Sequence, residues 1–131
     1  LLDISPRMLD EAKKKLNSLN TFLVEKDFDS FSKYNNYDLI ASNMSLHWSE
    51  NFFELLNKIL SMMRVNAFFI FSVPNNKSFQ ILKKEKFGNL INSFPEQKLI
   101  LKNIDKRFQV KIYESNFFQK FKHASTYINT V

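Results

Sequence analysis

Cysteine is absent from this 131-residue chain. Disulfide staples and thiolate metal sites are thereby excluded, and a reducing, cytoplasmic compartment is expected. Glycine is nearly absent as well: Gly88 stands alone, where an average composition would supply about 7%. No apolar run approaches the roughly 18 residues of a membrane-spanning helix, and no signal-peptide pattern opens the chain. With two histidines, His47 and His123, neither a metal site nor a general-base triad is expected. The first residue is Leu rather than Met, which marks the chain as an expected fragment.

What is present points to one globular unit. The chain is 44% hydrophobic with 15 Phe, too apolar for disorder and too short for more than one domain. Charge is divided unevenly. Residues 1–73 carry a net −1, whereas residues 74–131 carry +7. Such asymmetry fits an anionic partner, nucleic acid or an acidic protein, but also a lysine-biased composition, since 16 of the 19 basic residues are Lys.

Leu2-Asp3-Ile4-Ser5-Pro6 reads as an apolar strand end closing on an acid, followed by a helix start with Ser5 as cap. In nucleotide-binding α/β domains an acid so placed takes the hydroxyls of a ribose. Leu9, Ala12 and Leu16 continue at helical spacing, and Lys13-Lys14-Lys15 suit the helix end. Thr21–Glu25 and Tyr37–Ser42 predict strands, the second ending at Asn43. Ser49 is read as the cap of a helix striped by Phe52, Leu55, Leu56, Ile59, Leu60 and Met63, and Phe68–Val73 as the next strand. Further on, 78–94 predicts a helix stopped by Pro95, 107–113 a short exposed strand, and 115–131 a helix with Phe118, Phe121, Ser125 and Ile128 on one side. Apolar strands alternating with helices predict a parallel sheet covered on both faces, its ligand edge at the strand carboxyl ends. Asp3, Asp27 and Asn43 all fall at or just beyond those ends.

The series Leu-Asp-Ile-Ser-Pro-Arg-Met-Leu, Lys-Asp-Phe-Asp, Tyr-Asp-Leu-Ile-Ala-Ser-Asn-Met-Ser-Leu-His-Trp and Phe-Phe-Ile-Phe-Ser resembles class I S-adenosylmethionine-dependent methyltransferases. Ser-Asn-Met-Ser-Leu-His-Trp is most similar to the biotin-pathway malonyl-[acyl-carrier protein] O-methyltransferases. The resemblance is good over 1–73 and weaker over 117–131. It implies an α/β fold, a partial Rossmann-like methyltransferase sheet without the family's first βα unit and last strands. It also implies one incomplete domain: a cofactor-side core at 1–73, a substrate-shaping lid at 74–114 and a C-terminal helix at 115–131.

By position, the resemblance gives Asp3 the ribose hydroxyls of S-adenosylmethionine, a task suited to a carboxylate's paired acceptors. Asp27 would accept from the adenine amino group with Phe28 beside the ring, and Ile4 and Met8 would line the ribose and adenine wall. Asn43 would lie along the methionine part, and His47 and Trp48 would face the substrate. From the residues alone, Asp3 and Asp27 also read as turn acids, Met8 as helix core, and His47-Trp48 as packing. No catalytic side chain is expected, because methylating a carboxylate with an activated methyl needs positioning rather than a base. The Asn/Asp-Pro-Pro-aromatic motif of amino-group methyltransferases is missing, since Met44-Ser45-Leu46 follows Asn43.

The family's Gly-x-Gly-x-Gly turn lies upstream of Leu1, and its Pro-Gly-Gly turn before the fifth strand is here Val65-Asn66-Ala67. Without the family's first strand, two apolar edges are expected to stay unpaired, a liability for solubility. The chain alone is accordingly expected to bind S-adenosylmethionine weakly or not at all. The implied acceptor is the free carboxyl of malonyl-[acyl-carrier protein], with the acidic carrier as partner. The competing readings are a methyltransferase-fold assembly factor for a respiratory complex, an inactive gene remnant, and a basic nucleic-acid-binding module. The last is not favoured, as no RNA or DNA motif is present.

Overall fold

The computed structural model describes residues 1–16, 20–31, 36–78 and 94–116. In chain order these form β1 (Leu2–Asp3), α1 (Pro6–Lys15), β2 (Val24–Glu25), β3 (Tyr37–Asn43), a 3-10 turn (Leu46–Trp48), α2 (Phe52–Ser61), β4 (Met63–Ser72) and α3 (Gln97–Asn103).

The start of α1 follows from local chemistry. Ser5 is extended, its Oγ accepts from the Met8 N–H at 3.4 Å, and Pro6 occupies the first turn without losing a hydrogen bond. Three lysines close the helix where its carbonyls are free. Leu9 is the one residue of α1 that is fully buried.

The described strands form two parallel pairs rather than one continuous sheet. β1 lies beside β2, with Leu2 opposite Val24 and Asp3 opposite Glu25. β3 lies beside β4, running in register from Leu39–Phe68 to Asn43–Ser72. Between Tyr37–Met63 and Leu39–Phe68 the register shifts, and Asn66 adopts φ 66° there. Asparagine tolerates that left-handed conformation better than most residues, so the irregularity is accommodated within β4.

One face of the β3–β4 pair is covered. Ile40, Phe69, Phe71, Phe52 and Val73 pack on the buried cluster of Leu46, Leu55 and Ile59. The other face is bare: Leu39, Phe68 and Ile70 all stand exposed, the last two at 69% and 63%. The expectation of a sheet covered on both faces therefore fails at this pair among the described residues. Among them β1 and β3 each have a single pairing partner, as expected for two open apolar edges.

The halves are joined by the loop after β2. Asp29 accepts from the Ser49 hydroxyl at 2.6 Å and from the Glu50 N–H at 3.0 Å, while Lys58 donates to the Asp29 carbonyl at 2.8 Å. Phe28 inserts against the Leu46–Leu55–Ile59 cluster beside them. That staple brings the carboxyl end of β2 to the elements that follow the carboxyl end of β3.

Several expected boundaries move. The strand at Thr21 begins only at Val24. Asn51, not Ser49, caps α2, its side chain accepting from Glu54 N–H at 3.2 Å, because Ser49 is committed to Asp29. Met63 belongs to β4, which starts five residues before the expected Phe68. Residues 107–113 form no strand, pairing with no strand among the described residues. The helix α3, packed on α2, was not foreseen. The helices expected at 78–94 and 115–131 fall almost entirely outside the described residues.

Candidate functional site

Asp3 ends β1, and one of its carboxylate oxygens accepts from the Ser5 N–H at 2.8 Å. This turn fixes the carboxylate at the strand end and leaves its second oxygen without a partner among the described residues. Ile4 and Met8 flank it and are exposed, 66% and 58%. Both side chains are therefore open to a flat, partly apolar group lying beside the fixed acceptor. Met8 is thus not helix core; Leu9 fills that place.

Asp27 lies two residues past β2, exposed, with Oδ1 accepting from the Asp29 N–H at 2.9 Å. Phe28 is half-buried against the core cluster. Asp3 and Asp27 share one end of the β1–β2 pair, where the Lys26 N–H also donates to the Asp3 carbonyl at 3.1 Å.

Asn43 ends β3 directly opposite Ser72 at the end of β4. The Ser72 hydroxyl donates to Asn43 Oδ1 at 2.5 Å and accepts from the Met44 N–H at 3.0 Å. Met44 is left-handed, φ 51°, and so turns the backbone sharply out of β3. Ser45 completes the turn by donating to the Asn43 carbonyl at 3.2 Å.

His47 and Trp48 follow on the 3-10 turn, their rings 5.1 Å apart. Phe94 meets His47 edge-on at 5.7 Å. His47 Nδ1 is buried without a hydrogen-bond partner among the described residues, and burial lowers the imidazole pKa below its ordinary value. The ring is therefore neutral at physiological pH. Trp48 is exposed.

The contacts thus gather the named residues into two groups, Asp3, Ile4, Met8 and Asp27 around the first strand pair, and Asn43, His47 and Trp48 around the second. Phe28 and Asp29 link them. Ser72 and Phe94 were not singled out from sequence. The first is placed by the register of β3 and β4, which no local pattern fixes, and nothing in the sequence signals the second.

Parallel β-α units with an acid and an amide at their strand ends define a partial Rossmann-like α/β fold. A methyltransferase domain model matches residues 1–71, and the chain belongs to that family. It is similar to malonyl-[acyl-carrier protein] O-methyltransferase 1 of Ilyobacter polytropus, 28% identical over all of this chain and 52% of the relative. The malonyl-[acyl-carrier protein] O-methyltransferase of Priestia megaterium is 30% identical over 73% of this chain and 37% of its own length. Trans-aconitate 2-methyltransferase of an Enterobacter species is 29% identical over 57% of this chain and 29% of its own. The chain therefore spans about half the length, or less, of the curated relatives it matches.

Proposed function

We propose that this chain carries part of the site of an S-adenosylmethionine-dependent methyltransferase acting on the free carboxyl of malonyl-[acyl-carrier protein], in the cytoplasm and toward biotin. The observation that carries the cofactor reading is the fixed Asp3 carboxylate flanked by exposed Ile4 and Met8. Its free oxygen suits ribose hydroxyls and the two apolar side chains suit a purine ring. Asp27 lies at the same strand-pair end, placed to accept from an exocyclic amine, with Phe28 holding its loop against the core. Asn43 serves the amino-acid end of the cofactor.

When bound, S-adenosylmethionine supplies a methyl group already activated by its sulfonium. The chain's own residues then have to position and to exclude water. His47, neutral and wedged between Trp48 and Phe94, offers an uncharged wall to the acceptor, and a carboxylate is not drawn into a tight ion pair that would blunt its nucleophilicity. Residues 74–114 act as the lid of one incomplete domain, with 1–73 as cofactor-side core and 115–131 as C-terminal helix. Phe94 and α3, seated on α2, support that division. The acceptor reading is supported by two malonyl-[acyl-carrier protein] methyltransferases among the relatives and by the +7 charge of residues 74–131, which suits an acidic carrier.

Two titrations test this. Ligand-observed NMR should detect S-adenosylhomocysteine binding to the chain, at a Kd of roughly 1 mM or weaker, lost on Asp3→Ala. Amide spectra of malonylated carrier protein should shift on adding the chain, less so in high salt. Absence of both signals sinks the reading; a carrier response without the nucleoside response refutes the cofactor half.

A further inference from the structure

The paired ends of β3 and β4 contain a hydrogen-bond relay that goes beyond naming Asn43. The Met44 N–H donates to both the Ser72 carbonyl and Ser72 Oγ, each at 3.0 Å. The Ser72 hydroxyl donates to the Asn43 amide oxygen at 2.5 Å, and the amide N–H pair is turned away from it. The Asn43 backbone carbonyl is meanwhile taken by Ser45. Both carbonyls of Asn43 are engaged inside the turn, while its side-chain N–H pair donates to none of the described residues and stands exposed.

We propose that Ser72 is a positioning residue that locks the Asn43 amide with its N–H groups outward, so that these strand ends take a carboxylate-bearing end of the ligand. The inference rests on the cofactor reading above and deepens it. A free amide N–H pair recognises an acceptor, and among the groups at the amino-acid end of such a nucleoside the carboxylate is the acceptor, the ammonium a donor. The Met44 N–H carries the β3–β4 pairing onto Ser72, and the left-handed Met44 then turns the chain sharply out of β3.

The test uses the full chain and two probes in ligand-observed NMR titrations: S-adenosylhomocysteine, which has the carboxylate, and methylthioadenosine, which lacks the amino-acid end. Ser72→Ala and Asn43→Ala should each weaken S-adenosylhomocysteine by about tenfold, and the double variant no further. Ser72→Thr, which keeps the hydroxyl, should restore it. Asn43→Asp should weaken it most, by charge repulsion, and methylthioadenosine should bind all variants alike, reporting an intact fold. Tighter S-adenosylhomocysteine binding by Asn43→Asp, or an unchanged Ser72→Ala, overturns the inference while leaving the cofactor reading standing. Failure of the unaltered chain to bind either probe overturns both.

Discussion

The β1–β2 pair joins two residue pairs and rests on a helix that buries Leu9, whereas the β3–β4 ladder runs on to Asn43–Ser72 and rests on Leu46, Leu55, Ile59 and their apolar neighbours. The two regions carry different kinds of site residue. Asp3, Ile4 and Met8, suited to an adenosine, sit on the shallow pair. Asn43, His47 and Trp48 sit on the deep one. A ledge on so little core has small local stability, so ordering it consumes part of any binding energy a ligand brings. The bare Leu39–Phe68–Ile70 face shows that even the deep pair is packed on one side only.

The contrast is broken most severely by core truncation. Leu55, 4% exposed, belongs to the buried cluster under β3–β4. Leu55→Ala should cost about 3 kcal/mol from lost burial plus the cavity left behind, and Leu9→Ala about 2 kcal/mol, since thin surroundings collapse more readily. Urea unfolding followed by the fluorescence of Trp48 gives both numbers. Equal costs, or a larger cost at Leu9, would refute the distinction between deep and shallow halves.

The staple between the halves is the next target. Asp29→Ala removes the acceptor for the Ser49 hydroxyl and the Glu50 N–H but leaves the Lys58 contact to the backbone. A loss of about 1–3 kcal/mol is expected, because both donors were held by a charged group. Hydrogen exchange should rise at Val24–Phe31 and at Glu50, and stay unchanged along the paired segments Leu39–Asn43 and Phe68–Ser72. A uniform rise would show instead that the two pairs unfold as one unit.

Much of this was readable from residue order. The Ser5-Pro6 start, the α2 stripe from Phe52 to Leu60 and the apolar runs of β3 and β4 are local signals, and each element formed around them, with its bounds shifted. Asn43 at a strand's end was legible for the same reason. What escaped was set by contacts between distant residues. Asp29, 20 residues away in sequence, drew Ser49 from its capping role and left it to Asn51. The partner strand let β4 extend back through Met63 despite the polar Arg64 and Asn66. Ser72 became visible only through register, since no local pattern says which residue faces Asn43. Phe94 reached His47 from 47 residues away, with no periodicity to announce it.

The smallest effect sharpens the deep half's own boundary. Burial holds the His47 pKa below its ordinary 6.5, so the folded chain binds that proton less readily than the unfolded chain does. Between the folded pKa and 6.5 the unfolded state carries more protons, and by linkage the stability falls as pH drops through that window. Above it the contribution is complete and flat; below the folded pKa it is fully lost and flat again. The urea midpoint of the full chain should therefore be lower at about pH 5 than at about pH 7.5, and His47→Gln should remove part of that difference. The packing of Phe94 on the neutral ring predicts a second readout, a shift in Trp48 emission over the same pH window, absent in His47→Gln. Identical pH slopes in the variant and the unaltered chain would mean that His47 is as open to water as the residues of the shallow half.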